Sequence, residues 1–556
     1  MQLLQHFKEL TIRPKNAEEL KGLILQLAIQ GKLTANWRKE NPDIESANIL
    51  IKNILQDKER LIKLKKSKQK KHLSNVSEEE KPFNLPKSWV WCRLGDITDL
   101  PYGKGLSKKD LTVEGYYVFG ANGIIGKYSS YLYEDEQLLI SCRGAYSGKT
   151  NISPKKCFVT SNSLVCEFFN KDLTFYKYFF YSITALPKEK IVSGSAQPQV
   201  TATNALPLPI ALPPLEEQKE IVKVVETFFK EVEQLEQLTE KRIGLKEDFV
   251  TSALQQLTTN NVNQEWSFLQ DHFKSFFNEK TNIKKLRETV LQLAVQGKLT
   301  SDWRANNPNT EDASQLLKRI QAERSKLISE KRLKKTREKG DILEGEFNLD
   351  LPSSWTIAKT VDLGFITKLA GFEYSKHINL QDEGEVPVIR AQNVKPNRID
   401  ETKLKYIDLE TSKLLSRCEL VKESLLITFI GAGIGEVAVF RKKKRWHLAP
   451  NVAKLEPFNE FNHNIEIDYL LFYLLSPIGR RELFKHMKST AQPSLSMGTI
   501  RDIIVCLPPI EEQKAIVEKV NALMGLCDGL AQEVQQSQEH SELLMQSVLR
   551  AIFEEK

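Results

Sequence analysis

One eight-residue motif occurs twice in this chain, and it constrains the fold more than any other feature. It reads LPPLEEQK at 212–219 and LPPIEEQK at 507–514, and each copy opens a long stretch with helical periodicity. A proline pair suits the first turn of a helix, where a missing N–H is harmless, and the two glutamates favour the positive end of the helix dipole. Each copy therefore predicts the start of a helix.

Behind each start, apolar residues advance by alternating steps of four and three, which is typical of a coiled-coil seam. A helix over 215–257 would extend roughly 64 Å at 1.5 Å per residue. We interpret the two helices as a paired spacer between globular units. The seam residues are Ile221, Val225, Phe228, Val232 and Leu235 in the first helix, and Ile516, Val520, Leu523, Cys527, Leu530 and Val534 in the second.

The repeat extends well beyond these helices. LQLAIQGKLT at 25–34 recurs 266 residues later as LQLAVQGKLT, and LPKSW at 85–89 recurs at the same offset as LPSSW. At AQP, residues 196–198, the offset has grown to 295, so the 29 additional residues of the second copy lie between these two motifs. The chain is a tandem duplication of roughly 1–260 and 266–556, one unit used twice.

The segment between the shared motifs differs between the copies and mixes short β-type runs, turn residues and one aromatic helix. The predicted fold class is α+β: a tandem pseudo-twofold repeat of two globular mixed α/β domains separated by long helices. We predict strands at 116–119, 138–141, 164–168, 386–389, 425–430 and 437–440, and helices near 175–181 and 469–475. The predicted regions are an N-terminal helical region (1–80), a first middle domain (81–213), a central spacer helix (214–260), a second helical region (261–345), a second middle domain (346–509) and a C-terminal spacer helix (510–556).

Composition narrows the class of protein. Seven cysteines without a C-x-x-C pair favour reduced thiols over a disulfide framework or a zinc site. No apolar run approaches the roughly 18 residues of a membrane span, so we expect a cytoplasmic protein without an export signal. The net charge is +8, and basic residues concentrate at 58–71 and 331–339. These basic stretches suit phosphate contacts and solvated helix faces about equally.

GAYSGKT at 144–150 resembles a phosphate-binding loop, but only three residues separate its glycines where that loop needs four. The second copy, GAGIGEV at 431–437, has Glu436 where the first has Lys149. We predict a tight strand-to-strand turn whose glycines adopt positive φ. No metal-binding histidine spacing and no Gly-x-Ser-x-Gly motif occurs in the sequence. We therefore expect a chain without catalytic residues, metal or bound cofactor.

The middle domains carry side chains suited to reading nucleic acid, because arginine matches guanine, asparagine and glutamine match adenine, and lysine matches phosphate. Each one alone is more often a solvated surface residue than a nucleic-acid contact. The set gains weight because it lies where the copies diverge. The candidates are Tyr102, Lys104, Lys108, Lys109, Asn122, Lys127, Tyr128, Arg143, Tyr146, Lys149, Asn162, Gln197 and Gln199 in the first domain, and Lys368, Tyr374, Lys376, Arg390, Gln392, Asn393, Lys395, Arg398, Lys442, Lys443, Lys444, Arg445, Asn451 and Gln492 in the second.

Together, the paired LPP[LI]EEQK, LQLA[IV]QGKLT and LPxSW motifs resemble the specificity subunit of type I restriction-modification systems, over essentially the whole chain. The resemblance implies a non-catalytic DNA-binding subunit with two target recognition domains, each reading one half of an asymmetric bipartite sequence in the major groove. It also implies an antiparallel coiled coil that fixes the gap. The implied partners are double-stranded DNA, two modification (methyltransferase) subunits that use S-adenosylmethionine to methylate adenine at N6, and restriction subunits that use ATP and Mg in phage defence.

Two other interpretations stay open at this point. A coiled-coil scaffold without sequence readout explains the repeats but not the divergence of the middle domains, and a nucleotide-dependent enzyme rests on Lys149 alone. If the helices act as a ruler, deleting four residues within 221–235 should change the half-site spacing and spare the half-sites. Regions 25–37 and 291–303 are candidates for partner docking, for an intramolecular core, or for both.

Overall fold

The computed structural model describes residues 14–64, 73–170, 176–186, 191–193, 198–259, 272–334, 342, 345–431, 433–485, 487 and 494–554. The chain forms two compact units, one of residues 1–243 with 540–556 and one of residues 244–539. Each unit holds one middle domain, and each long helix contributes residues to both units. In the described part of the chain, no helix is long and apolar enough to cross a membrane.

The first copy of the repeat combines a helical region, a small mixed domain and a long helix. Its helices are α1 (Pro14–Ile29), α2 (Ala35–Glu40), α3 (Ala47–Lys63), α4 (Leu94–Ile97), α5 (Tyr176–Thr184), α6 (Ala202–Ala205) and α7 (Leu215–Thr259). Its strands are β1 (Val90–Arg93), β2 (Thr98–Asp99), β3 (Tyr116–Phe119), β4 (Ile124–Tyr128), β5 (Leu138–Ser141), β6 (Thr150–Ile152), β7 (Phe158–Val159), β8 (Ser163–Val165), β9 (Glu167–Phe168) and β10 (Pro209–Leu212).

The second copy repeats this order with additions. Its helices are α8 (Phe273–Phe276), α9 (Lys280–Val295), α10 (Ser301–Asn306), α11 (Ala313–Ser329), α12 (Thr360–Leu363), α13 (Gly371–His377), α14 (Leu409–Leu414), α15 (Ile467–Leu475), α16 (Pro477–Phe484), α17 (Met497–Asp502) and α18 (Ile510–Glu554). Its strands are β11 (Thr356–Lys359), β12 (Gly364–Lys368), β13 (Val386–Ile389), β14 (Val394–Lys395), β15 (Arg398–Ile399), β16 (Lys405–Ile407), β17 (Glu419–Leu420), β18 (Ser424–Thr428), β19 (Val437–Phe440), β20 (Trp446–Leu448), β21 (Val452–Pro457) and β22 (Ile504–Leu507).

The two middle domains share one sheet topology. β1 pairs with β10 and β11 with β22, so an antiparallel ladder joins the two ends of each domain. In a second sheet of each domain, β3 pairs with β4 antiparallel and with β7 parallel, and β13 pairs in the same way with β16 and β20. A further sheet has the order β6-β5-β8 in the first domain and β12-β21-β18-β19 in the second. The predicted mixed α/β fold class and most predicted strand positions are confirmed.

The additional residues of the second copy lie mostly between β13 and β18, where the first copy has only β4 and a loop. They form the β14–β15 hairpin, α14 and β17, and β17 extends the β13 sheet at the edge formed by β20. Similar frames therefore enclose domains of different content, as the growing offset predicted.

Both predicted long helices are present, and each runs for 45 residues. In the first unit, Lys21 pairs with Glu233 at 2.9 Å and Thr34 with Glu217 at 2.7 Å, so α1 lies antiparallel to the first half of α7. The predicted seam residues of α7 lie in the core cluster of the first unit, and those of α18 lie in the core cluster of the second. Ile221, Val225, Val232, Ile516, Val520, Cys527 and Val534 are buried, and Phe228, Leu235, Leu523 and Leu530 are partly buried against the same clusters.

Within the second unit, α9 is flanked by both long helices. Arg287 pairs with Asp528 of α18 at 2.5 Å, and Lys285 pairs with Glu247 of α7 at 2.8 Å. Further along, Lys298 of the adjoining loop donates to the carbonyl of Thr258. The last turns of α7 thus run parallel to α9. The first half of α18 runs antiparallel to α9, because Lys280, earlier in α9 than Arg287, donates to Gln535, later in α18 than Asp528, at 2.5 Å.

The shared motifs meet at one buried carboxylate in each unit, a group we call the carboxylate hub. In the first hub, Glu217 is fully buried and accepts hydrogen bonds from Thr34 Oγ1 at 2.7 Å and Trp89 Nε1 at 2.8 Å. Arg38 also donates to Glu217 and, at 2.6 Å, to the carbonyl of Gly31. A buried charge persists when its partners neutralise and hydrogen-bond it. Residues from the three motifs that identify the repeat therefore hold each frame together.

The second hub repeats these bonds. Glu512 accepts from Thr300 at 2.6 Å, from Trp355 Nε1 at 2.8 Å and from Arg304. Regions 25–37 and 291–303 thus contribute largely to the intramolecular core, with Leu25 and Leu291 buried.

All seven cysteines are free and buried. Burial in apolar surroundings disfavours the thiolate, so it raises the pKa of Cys157 and of Cys418 to about 11 and that of Cys506 to about 12.

Candidate nucleic-acid interface

The glycine-rich segments form equivalent turns between β5 and β6 and between β18 and β19. We call residues 143–149 the first glycine turn and the described residues 430–431 and 433–436 the second. In the first turn Gly148 N donates to Ser141 O at 2.9 Å, and in the second Gly435 N donates to Thr428 O at 2.8 Å. All four outer glycines have positive φ: Gly144, Gly148, Gly431 and Gly435. The prediction of a tight positive-φ turn is confirmed, and this geometry differs from a nucleotide-binding loop followed by a helix.

Two further segments border each turn. In the first middle domain Cys142 N donates to Asn162 O at 2.9 Å, and Arg143 forms a β-bridge with Gln199. In the second, Phe429 N donates to Asn451 O at 3.1 Å, and Ile430 forms a β-bridge with Ser494. Asn162 and Asn451 therefore occupy equivalent positions.

The residues after β3 and after β13 complete the same surface. Ser141 Oγ donates to the carbonyl of Ala121, which places the loop containing Asn122 beside the first glycine turn. In the second domain, a Cβ placed on Gly433 would lie 3.8 Å from the carbonyl oxygen of Ala391, the residue before Gln392. Each domain thus gathers segments that are distant in sequence, and we call this gathered surface the reading face.

Several first-domain candidates lie on this face. Arg143, Tyr146 and Lys149 are exposed, and Lys149 Nζ lies 5.8 Å from the centroid of the Tyr146 ring. Asn122 and Asn162 are half-buried, and the backbone of Lys104 bonds to Ser161, the neighbour of Asn162. Tyr102 is exposed and bridges to Leu164, two residues after Asn162.

Others lie elsewhere in the first domain. Tyr128 packs edge-on against Phe158 at the opposite end of the β3–β4 hairpin, and the chain after Lys108 and Lys109 joins that end through the bond of Thr112 N to Lys127 O. These residues do not join the cluster around the glycine turn.

The second domain brings Gln392, Lys395, Arg398 and Asn451 to its reading face. The β14–β15 hairpin that carries Lys395 and Arg398 is anchored beside the turn, because Asn397 N donates to Val437 O at 3.0 Å. Gln392, Arg398 and Asn451 are exposed. By contrast, Lys442, Lys443, Lys444 and Arg445 follow β19 at the end remote from the turn. Lys376 is exposed on α13, and Lys368 lies with its Nζ 4.7 Å from the Phe429 ring centroid.

The structure corrects several candidates. Asn393 is 1% exposed, and its amide accepts from Arg390 N at 3.1 Å and donates to Asp400 O at 2.9 Å, so it stabilises the loop and does not face a ligand. Tyr374 is half-buried against the second domain's core. Lys442 is engaged by Glu401 at 2.7 Å.

Two described residues of the basic stretches also bond to other residues of the protein. Lys58 is buried and donates to Gly95 O at 2.8 Å, and desolvation lowers its pKa. Arg332 pairs with Glu460 at 2.6 Å. Neither is a free phosphate ligand. Gln197, Gln492 and the basic residues at 65–71 and 335–339 lie outside the described residues.

Sequence reasoning missed features that only appear in three dimensions. The β3–β4 hairpin of the first domain exposes Tyr117 and the Ile124–Ile125 pair, each about half exposed. Val118 and Phe119 of the same hairpin are buried, as are Val388 and Ile389 of the equivalent β13. From the sequence alone, Glu436 argues only against a nucleotide site. Among the described residues, no group of three or more His, Cys, Asp or Glu side chains is placed to hold a metal ion.

Comparison with known proteins gives a consistent result. The family model described as the type I restriction modification DNA specificity domain matches residues 86–243 and 352–537, once in each copy. The type I restriction enzyme EcoAI specificity subunit of Escherichia coli is 25% identical over 556 residues, covering 92% of this chain and 90% of that protein. The EcoEI specificity subunit of the same species is 25% identical over 568 residues, covering 94% and 91%.

Among solved structures, the HsdS subunit from Thermoanaerobacter tengcongensis is 14% identical with a TM-score of 0.39, covering 86% of this chain and 99% of that one. A chain from a structural study of the type I R-M system is 16% identical with a TM-score of 0.46, covering 85% and 99%. The family model accounts for more than half of the chain and matches both copies, so this chain belongs to the family of type I restriction-modification specificity subunits.

Proposed function

We propose that this chain is a non-catalytic DNA-recognition subunit in which each middle domain reads one half of an asymmetric, split target. The observation that carries the proposal is the pair of reading faces, which have equivalent backbone positions but different side chains. Arg143, Tyr146 and Lys149 in the first face are replaced by Ile430, Gly433 and Glu436 in the second. Different donors and acceptors at equivalent positions specify different bases in the major groove.

The proposed partners follow from the family and from the duplication. Two equivalent frames offer the same surface twice, which suits two copies of one modification (methyltransferase) subunit. S-adenosylmethionine, ATP and Mg belong in this proposal to the modification and restriction subunits, and this chain binds none of them. Its own ligand is double-stranded DNA in the cytoplasm.

We further infer that α7 and α18 pair as an antiparallel coiled coil that sets the gap between half-sites. The opposite directions of α7 and α18 against α9 within the second unit support this arrangement. A rigid spacer makes the distance between two DNA contacts a geometric property of the protein.

The spacer is best tested beyond 221–235, because that stretch carries Ile221, Val225 and Val232 of the first unit's core. Removing residues 237–243 together with 532–538 takes nearly two turns from each helix. The residues that follow each deletion therefore stay on nearly the same face of the helix. Of the α18 seam residues, the deletion of 532–538 removes Val534 alone. We expect the gap to shrink by about 10 Å, or about three base pairs, with both half-sites unchanged. The readout is the methylated motif of the complex with its modification partner.

A control of unchanged length combines Glu240→Ala, Lys241→Ala and Arg242→Ala, three exposed residues of the same stretch, and should keep the gap. Altered half-sites with an unchanged gap would contradict the proposal that the paired helices set the gap.

The direct test of the proposed function is a map of methylated adenines in the source cell with and without this gene, its modification partner left intact. We expect one split motif with two unequal halves to disappear with the gene. If the partner is expressed and active and no motif disappears, the coiled-coil scaffold becomes the better explanation.

A further inference from the structure

Lys149 and Glu436 occupy one and the same position of the two reading faces. Lys149 O accepts from Ser141 N at 2.8 Å, and Glu436 O accepts from Thr428 N at 2.9 Å. Each residue therefore stands directly across the ladder from the last residue of β5 or β18. Cross-strand neighbours in such a pair project their side chains to the same side of the sheet. The duplication has thus placed opposite charges at equivalent points.

One oxygen of the Glu436 carboxylate has no hydrogen-bonding partner among the described residues. Its Oε2 atom is buried and accepts no hydrogen bond from the described residues, and the same holds for Thr428 Oγ1 beside it. The carboxylate lies beneath the second glycine turn, where a Cβ on Gly433 would come within 2.8 Å of Oε2. A buried acceptor left unpaired costs stability, and more so when it is charged.

A third buried polar atom lies on the neighbouring segment of this face. Arg390 Nε has no partner among the described residues, although Arg390 Nη2 donates to Lys403 O at 2.7 Å. Arg390 precedes Ala391, which borders the second glycine turn. No ion pair within 4.0 Å joins Arg390 to Glu436 in the described part of the chain. Within the described residues, the second reading face therefore covers an unpaired acceptor, Glu436 Oε2, and an unpaired donor, Arg390 Nε, next to exposed Gln392.

In the first reading face, the side-chain atom equivalent to Thr428 Oγ1 has hydrogen-bond partners. Ser141 Oγ, at the position of Thr428, donates to Ala121 O and accepts from Asn151 Nδ2 at 3.2 Å. Lys149 is exposed, with its Nζ near the Tyr146 ring, and has three donors to offer. The first face thus presents a donor where the second presents an acceptor.

We propose that this one position is specificity-determining in both domains: Glu436 accepts a hydrogen bond from the exocyclic amino group of a cytosine or adenine, and Lys149 donates to an acceptor atom of a guanine. A carboxylate suits an amino group at the major-groove edge, and lysine suits guanine O6 and N7. Glu436 is half-buried and its Oε2 lies beneath the turn, so a rotation of the carboxylate toward the base is part of this bond. This inference rests on the proposed function and adds to it the base chemistry at one position in each half-site.

The test uses the full chain in complex with its modification subunit. Binding of wild type and Glu436→Gln is measured on duplexes that carry each of the four bases at each position of the split target. We expect Glu436→Gln to weaken discrimination about tenfold or more at one position of one half-site, with the other positions and the gap unchanged. The base preferred there by the wild type, cytosine or adenine, identifies the amino group.

Two variants sharpen the result. Lys149→Gln should weaken discrimination at one position of the other half-site, where the wild type prefers guanine. Glu410→Gln makes the same chemical change on α14 at an exposed residue and should leave the readout unchanged.

The inference is overturned if Glu436→Gln leaves every position unchanged, if it weakens all sequences equally, or if the lysine and glutamate variants affect the same half-site. In those cases a wild-type complex that still recognises a split target leaves the proposed function intact. A wild-type complex that recognises no split target overturns both.

Discussion

The carboxylate hubs and the glycine turns are both duplicated, yet they diverged to very different degrees. At the hubs, Glu217 and Glu512 accept from the same three residue types. At the turns the backbone hydrogen bonds match, but the position that holds Lys149 in the first turn holds Glu436 in the second. A buried charge tolerates no change that leaves its donors unpaired, whereas a side chain at a ligand-binding surface changes without such a cost. After the duplication, the hub residues therefore stayed the same, whereas the side chains of the reading faces diverged.

Removing a hub carboxylate is expected to have the largest effect. Glu217→Ala and Glu512→Ala each leave a buried indole N–H, a hydroxyl and a guanidinium without their acceptor, so each should lower the free energy of unfolding of its unit by about 3–5 kcal/mol. The measurement is chemical denaturation of the full chain, followed by probes in each unit.

The neighbouring exposed residues provide the control. Glu216→Ala and Glu511→Ala remove only exposed pairs with Lys219 and Lys514 and should cost less than about 1 kcal/mol. A large loss in one copy with none in the other would break the equivalence of the two hubs.

The glycine turns should respond by unequal amounts, although they share a backbone. Gly435→Ala combines a positive φ with a Cβ only 2.2 Å from the Phe484 ring, so we expect a loss of about 2–3 kcal/mol. Gly148→Ala, with its Cβ 3.0 Å from Val192, should cost about 1–2 kcal/mol. Thermal denaturation of each variant measures the difference.

Gly431→Ala isolates the backbone contribution, because no atom lies within 4 Å of its Cβ position and only the positive φ penalises alanine. We expect about 1 kcal/mol. A cost as large as that of Gly435→Ala would show that packing against Phe484 does not distinguish the positions.

Alkaline pH should weaken both units through their buried thiols, by the smallest amount per group. The folded state holds the pKa of Cys157 near 11 and that of Cys506 near 12, whereas an unfolded cysteine titrates near 8.5. Above about pH 8.5 the unfolded state loses protons that the folded state keeps, so stability falls as pH rises toward these folded values. Each thiol should contribute less than about 1 kcal/mol between pH 8 and 9.

Denaturation at pH 8 and 9, compared between wild type and Cys157→Ala, measures this contribution. The variant should lose less stability over that interval than the wild type. Equal losses would show that the thiol does not govern the alkaline response.

The sequence by itself determined the duplication, the starts of α7 at Leu215 and α18 at Ile510, the buried seam, the strands β3, β5, β13 and β19, and the positive φ of the glycines. These features depend on local periodicity and backbone sterics, which a linear sequence records directly. The matching motifs also indicated the family before any fold was known.

Only the tertiary structure decided which side chains meet. Trp89 and Glu217 are far apart in sequence, and nothing local distinguishes this buried pair from the exposed Glu216 beside it. The same limit explains why Asn393 and Lys58, both good ligands by residue type, are occupied inside the protein, while Glu436 emerged as a candidate. Burial and hydrogen-bond satisfaction arise from contacts between distant segments, so they appear only when the whole chain has folded.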